Sequence, residues 1–225
     1  MKSKGFDIYV VYDNHCKNQG FMKGFGFSVL IKNHYSKNYI LFDVGEKTEI
    51  LINNLKQLGL DLFKIEKIII SHNHFDHVGA LDEILKNNEK IEIFIPSSQM
   101  KNFITKFPNA TIKQHKEITE IEENVYITGE LGINIKEQAL VLKREEKIFL
   151  LVGCAHPGLE EFITLVKNLG TIEGILGGFH GFNKYNYLKT IKIIASCHCT
   201  QHKKTIMKIF PKQHKEMCIG DLLEF

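Results

Sequence analysis

Residues 67–79 read K-I-I-I-S-H-N-H-F-D-H-V-G, and this stretch decides what kind of chain this is. Its first part, Lys67 to Ser71, is a short apolar run that predicts a strand buried on both faces. Its second part places four good metal ligands, His72, His74, Asp76 and His77, within six residues. In a loop leaving a strand, positions i and i+2 point to one side, and the next turn brings i+4 and i+5 to a neighbouring position. That spacing suits two adjacent metal ions. Imidazole suits Zn, Fe, Mn or Ni, and an added carboxylate is typical of hydrolytic zinc sites that keep a position open for water. The bland alternative, a polar surface loop rich in histidine, leaves the spacing unexplained.

Working outward, residues 6–12, 26–32 and 39–43 are β-rich runs separated by turn residues, which predicts an opening antiparallel meander. The period changes over 46–58, where Ile50, Leu51, Leu55 and Leu58 share a helical face and Gly59 ends it. Beyond the histidine cluster the pattern predicts helices over 80–87, 97–106, 158–169 and 202–210. Strands are expected at 91–95, 125–128, 139–143, 147–152, 172–176, 190–195 and 216–219, with weak strand signals in the polar stretch 108–124. No repeat, low-complexity tract or linker divides the chain, so residues 1–225 are expected to form one domain. Strand runs broken by single helices predict an α/β (α+β) architecture, two mixed sheets packed face to face with helices outside.

Composition narrows the function classes. The net charge is +3 from 29 Lys+Arg and 26 Asp+Glu, and Arg144 is the one arginine. A dispersed surplus of lysine without phosphate-clamping arginine argues against a nucleic-acid surface. No run approaches the roughly 20 apolar residues of a membrane span, and the first residues lack a signal-peptide core, so no membrane association and a cytoplasmic address are expected. Five cysteines are an odd number in a chain too long to need stapling, which predicts reduced thiols. The eleven histidines are the unusual count.

The motif H-x-H-x-D-H on the exit of an apolar strand resembles the signature of the metallo-β-lactamase superfamily. The likeness extends along the chain. I-L-F-D-V-G (40–45) resembles the superfamily's first motif, Gly153-Cys154-Ala155-His156 its third, and His198 stands in the place of its last. The opening V-Y-D-N and F-G-F-S, with G-G-F-H and S-C-H-C-T, resemble the dihydropterin-methyl-ribofuranosylaminobenzene-phosphate synthase-like subgroup. The resemblance implies a four-layer αββα sandwich. It implies a first ion held by His72, His74 and His156 and a second held by Asp76, His77 and His198, with Asp43 hydrogen-bonding a ligating imidazole.

One position departs from that pattern. Most hydrolytic members bridge the two ions with an aspartate about two dozen residues past the third-motif histidine; here that place, position 180, is a histidine. An imidazole offers one lone pair and cannot bridge as a carboxylate oxygen can. Three outcomes stay open: His180 ligates the second ion alone, contacts substrate, or leaves a single ion firmly bound. Cys197 and Cys199 flank His198 and are expected to point away from it as packing residues, whereas Cys154, two residues before His156, could face the site. Phe75, Phe179, Phe182, Tyr185 and Tyr187 cluster about the motifs, as a pocket wall or as core.

The expected chemistry is metal-dependent hydrolysis, by metal-bound hydroxide, of a small anionic ester, foremost a phosphoester. One or two zinc ions are expected, with Fe, Mn or Ni as alternatives. Asp76 would accept a proton from the attacking water, and His180 would orient substrate or act as general acid. Two other readings remain: a synthase joining a pterin unit to a ribofuranosyl-aminobenzene phosphate, implied by the subgroup, and a metal-binding protein without catalysis.

Overall fold

The structure, a computed structural model, describes residues 5–60, 62–88 and 90–225. Residues 1–4, which entered the reading of the N-terminus, lie outside the described residues. The first strands are β1 (Phe6–Tyr12), β2 (Ser28–Asn33), β3 (Tyr39–Phe42), β4 (Ile65–Ile69), β5 (Glu92–Phe94), β6 (Thr111–Lys113) and β7 (Thr119–Glu122). The others are β8 (Val125–Ile127), β9 (Leu140–Arg144), β10 (Lys147–Val152), β11 (Thr171–Gly178), β12 (Ile193–Cys197) and β13 (Leu222–Glu224). Among the described residues they form a seven-stranded sheet, β13-β1-β2-β3-β4-β5-β6, and a six-stranded sheet, β12-β11-β10-β9-β8-β7.

The alternation of side chains builds four layers. Ile69 faces the core between the sheets with Ile8, Ile40, Phe42, Leu140 and Leu151, while its neighbours Ile68 and Ile70 face the opposite way. There they meet Ile50, Leu51 and Leu55 of α1 (Thr48–Gln57) and Ile84 of α3 (Leu81–Asn87), which follows the short α2 (Phe75–Val78). Phe103 of α4 (Met100–Lys106) joins the same layer. On the far side, α5 (Leu159–Val166) and α6 (Lys203–Ile209) cover the six-stranded sheet through Phe162, Ile163 and Ile206. The run K-I-I-I-S is therefore buried on both faces because helices cover one side of its sheet and the second sheet the other. Two mixed sheets with helices outside match the expected fold class.

Two expectations are corrected. The last strand is Leu222–Glu224, antiparallel to β1 with Leu223 opposite Ile8, and not 216–219. Met217 and Ile219 are apolar because they fill the inter-sheet core from a loop, and Cys218 between them is buried with its Sγ accepting from the Lys17 backbone N–H. Phe75, Asp76 and His77 also begin a helical turn rather than continuing a loop. Among the described residues no helix is long and apolar enough to cross a membrane.

The sheets converge on one edge. β3 runs parallel to β4, and β10 to β11 and β12, so their carboxyl ends point the same way within each group. Asp43, His72, Cys154, His156, His180 and His198 all lie within four residues past such an end. This is the position where open α/β sheets place their ligand sites.

Candidate metal centre

Six of the seven residues expected as ligands lie in one cluster. The rings of His72 and His74 are 4.5 Å apart between centroids, His72 and His156 4.8 Å, and His74 and His156 4.9 Å. The His77 ring is 4.2 Å from His72 and 5.1 Å from His198. Asp76 Oδ2 lies 3.1 Å from His198 Nε2 and 3.6 Å from His77 Nε2. The tightest groupings of possible ligand atoms are two trios, His72 with Cys154 and His156, and His77 with Cys154 and His198, each with its atoms within 4.8 Å of one another. His74 stands at the exposed rim, its Nδ1 3.0 Å from His72 Nε2. His180, the seventh, is exposed, lies outside both trios, and sets its ring 5.0 Å from that of His156.

Hydrogen bonds to the outer ring nitrogens fix which nitrogen faces inward. Asp43, fully buried, accepts from His77 Nδ1 at 2.7 Å through Oδ2, and the same oxygen accepts the Ser71 hydroxyl at 2.7 Å. The Ser71 Oγ in turn meets His72 Nδ1 at 2.9 Å. One carboxylate thus turns the Nε2 lone pairs of His72 and His77, one from each trio, toward the centre. Gly153 makes room for this relay, since a Cβ there would sit 2.1 Å from Ser71 Oγ. On the opposite side Asn14 Oδ1 meets His198 Nδ1 at 3.1 Å, and Asp13 Oδ2 accepts the His198 backbone N–H at 2.9 Å.

The loop after β10 is held by a residue far away in sequence. Buried Glu137 accepts the backbone N–H groups of Cys154 and Ala155 through Oε1 and that of His156 through Oε2, each at 2.9 Å. Gln138 beside it donates its amide to the carbonyls of Ile70 and Phe94. Asp43, Ala155, His180 and His198 all have positive φ, between 43° and 58°. Such backbone conformations cost energy in non-glycine residues and persist where surrounding bonds over-determine them.

The electrostatics follow from burial and crowding. Burial, reinforced by the neighbouring imidazoles, holds His72 well below the usual histidine range, and burial with His74 and His180 nearby lowers His156 to about 4. Burial would also lower His77, but the Asp43 carboxylate, with Asp76 and Glu137, outweighs it and raises the ring. Burial works against the charged Asp76, yet His198 and His77 bring its carboxyl below the ordinary value. His72 and His156 are therefore neutral at pH 7, the form that binds metals.

The donor set fits metal ions. His156 Nε2 is buried with no hydrogen-bond partner, and His198 Nε2, though close to Asp76, is out of line for a hydrogen bond. Buried polar atoms are rarely left unpaired. Two orphaned imidazole nitrogens, one in each trio, with a carboxylate and a thiol beside them, match the N, O and S ligand chemistry of zinc and its neighbours.

Comparison with known proteins agrees with this fold. The sequence profile of the metallo-beta-lactamase superfamily matches residues 22–109. The metal-dependent hydrolase Tm1679, of the β-lactamase superfamily, superposes with a TM-score of 0.76 at 22% identity, over 98% of this chain and 99% of its own. The chain carries the metallo-β-lactamase fold. The Zn(2+)-bound PqqB of Methylobacterium extorquens shares this metallo-β-lactamase fold, at TM-score 0.67 and 9% identity over 97% of this chain and 100% of its own. In sequence, the chain is 25% identical to the 7,8-dihydropterin-6-methyl-4-(β-D-ribofuranosyl)-aminobenzene-5'-phosphate synthase of Methanocaldococcus jannaschii, over 90% of each chain. The resemblance read from the motifs is borne out.

The structure also shows what the sequence reading missed. Glu137, Asp13 and Asn14 form the frame of the site, and only the V-Y-D-N motif signalled any of them. Phe179 and Phe182 belong to the core beneath the six-stranded sheet, and Tyr185 packs against it. The exposed aromatic lip is instead Phe75 with Phe25, whose rings are 5.8 Å apart, Phe25 lying 5.6 Å from His198. Cys197 packs in the inter-sheet core as expected, whereas Cys199 lies beside Cys154.

Proposed function

We propose that the chain is a metal-dependent hydrolase of a small anionic ester, foremost a phosphoester, and that zinc is the ion, in one or two sites. The observation that carries the reading is the convergence of buried imidazole nitrogens, two of them without a hydrogen-bond partner, beneath a rim where His74 and His180 are exposed. A bound divalent ion there would lower the pKa of water toward about 7 and polarise the scissile group. His72, His74 and His156 would hold the first ion, and Asp76, His77 and His198 the second. Asp43 fixes the His72 and His77 rings, Asn14 fixes His198, and Glu137 fixes the loop that carries His156. Asp76 would take the proton from the attacking water, and His180 would orient substrate or protonate the leaving group.

The anionic preference is supported by a cleft of about 760 Å³ beside the His198 loop, lined by His15, Lys17, Lys23, His202, Lys203 and Lys204 among others. Lys17 is paired with Glu216 at 2.8 Å. The remaining lysines suit a phosphate better than a polyanion, and the partner is a small molecule in the cytoplasm, not a nucleic acid or a membrane. The Phe25 and Phe75 lip would hold a ring.

A second reading, synthesis from pterin and ribofuranosyl-aminobenzene phosphate units, is favoured by the likeness to the Methanocaldococcus jannaschii synthase along nine-tenths of both chains. Incubating metal-loaded protein with bis-aryl phosphodiesters, and separately with pterin plus arylamine phosphate substrates, separates the two. Turnover of the diesters, lost on chelation, is expected. Turnover of only the pterin pair would establish the synthase.

A further inference from the structure

Cys154 has no role in either ligand set implied by the superfamily's motifs, yet its sulfur is the one atom common to both trios. It is buried but belongs to none of the three apolar clusters among the described residues, unlike Cys197, which packs between the sheets. Its Sγ lies 3.2 Å from His77 Nε2 and within 4.8 Å of the ligand nitrogens of His72, His156 and His198. With zinc–sulfur and zinc–nitrogen bonds of about 2.3 and 2.0 Å, two ligands of one tetrahedral ion sit roughly 3.6 Å apart, so this sulfur is within ligand range on both sides.

We propose that Cys154 bridges the two ions as a thiolate, taking over the role of the bridging aspartate that this chain replaces with His180. The placement is built in. Glu137 pins the Cys154 backbone N–H, and the positive φ of Ala155 turns the chain so that Cys154 and His156 face the same centre. The His180 ring, by contrast, lies at the exposed rim beside His156. A sulfur carrying negative charge between two ions would need a donor nearby, and the Cys199 thiol beside Cys154 would turn its S–H toward it. Gly178 leaves the space for it, because a Cβ there would meet Cys199 Sγ at 2.6 Å. Coordination would release the proton of the Cys154 thiol outright. A bridging thiolate selects zinc, cobalt, nickel or ferrous iron over magnesium or manganese.

The inference rests on the metal-centre reading above, and the test separates the two. Reduced full-length protein is reconstituted with Co²⁺, and metal content is read beside the near-ultraviolet absorption, where thiolate-to-cobalt charge transfer appears. The wild type is expected to take two ions and show the band. Cys154→Ser should lose the band and fall to one ion, Cys154→Asp should recover two ions without the band, and Cys199→Ser should keep both. Should Cys154→Ser fail to fold, Cys154→Asp carries the reading alone. Two ions without the band in the wild type, or a band that survives in either Cys154 variant, overturns the bridge while leaving the metal centre standing. A wild type that takes no cobalt overturns both.

Discussion

Glu137→Gln tests whether the third-motif loop is held by a buried charge. The carboxylate accepts three backbone N–H groups, two through Oε1 and one through Oε2. The amide keeps one acceptor oxygen, which can serve Cys154 and Ala155, but it turns an NH₂ toward the His156 N–H and leaves that donor unpaired. Hydrogen bonds to charged groups are worth about 1.5–3 kcal/mol and neutral ones about 1, so losing one and weakening two costs on the order of 4 kcal/mol. Removing a buried charge returns part of this: burial raises the Glu137 carboxyl, and the three N–H groups oppose that rise. The net is about 2–4 kcal/mol. In a chain of this size each kcal/mol moves Tm by about 2–4 °C, so thermal unfolding of the metal-free variant should begin roughly 10 °C below wild type. Because the same loop carries His156, metal affinity measured by titration calorimetry should fall about 10–100-fold. A metal-free Tm within about 2 °C of wild type, with unchanged affinity, would refute the argument, since it would mean that Glu137 already holds a proton or that other contacts fix the loop.

Other consequences follow from the same contacts. Asp43→Asn suits the positive φ at that position, but its amide would donate to His77 Nδ1 and put the proton on Nε2, so elemental analysis should show loss of one ion while the fold persists. His180→Ala should leave metal content unchanged, because the ring lies outside both trios, and should slow turnover by about 10²-fold or more, the contribution of a positioned general acid. Folding lowers His156 to about 4, so the unfolded chain binds the extra proton below about 6.5; metal-free stability should fall as pH drops through that window, and denaturant titrations of His156→Ala should show a shallower dependence.

What the sequence made legible was local in character. The run K-I-I-I-S-H-N-H-F-D-H carries its strand, its exit and its ligand spacing within eleven residues, and the G-C-A-H and S-C-H-C motifs each sit on a strand end that periodicity finds. What stayed hidden depends on contacts between distant segments. Glu137 lies in a stretch with no strong period and meets Cys154, Ala155 and His156 across 17 to 19 positions of chain. Asp13 and Asn14 reach His198 across about 185, a pairing that only the meeting of β1's end with β12's creates. The apolar run 217–219 mimicked a strand because burial selects apolar residues whether or not a ladder partner exists, and its backbone here is a loop. Cys154 shows the same limit most sharply. Its spacing from His156 said only that both could face one side. That its sulfur is common to a histidine pair from each half of the centre is a property of two sheets packed face to face, fixed by Asp43 on one and Glu137 between them, and it shifts the proposed bridging role from position 180 to position 154.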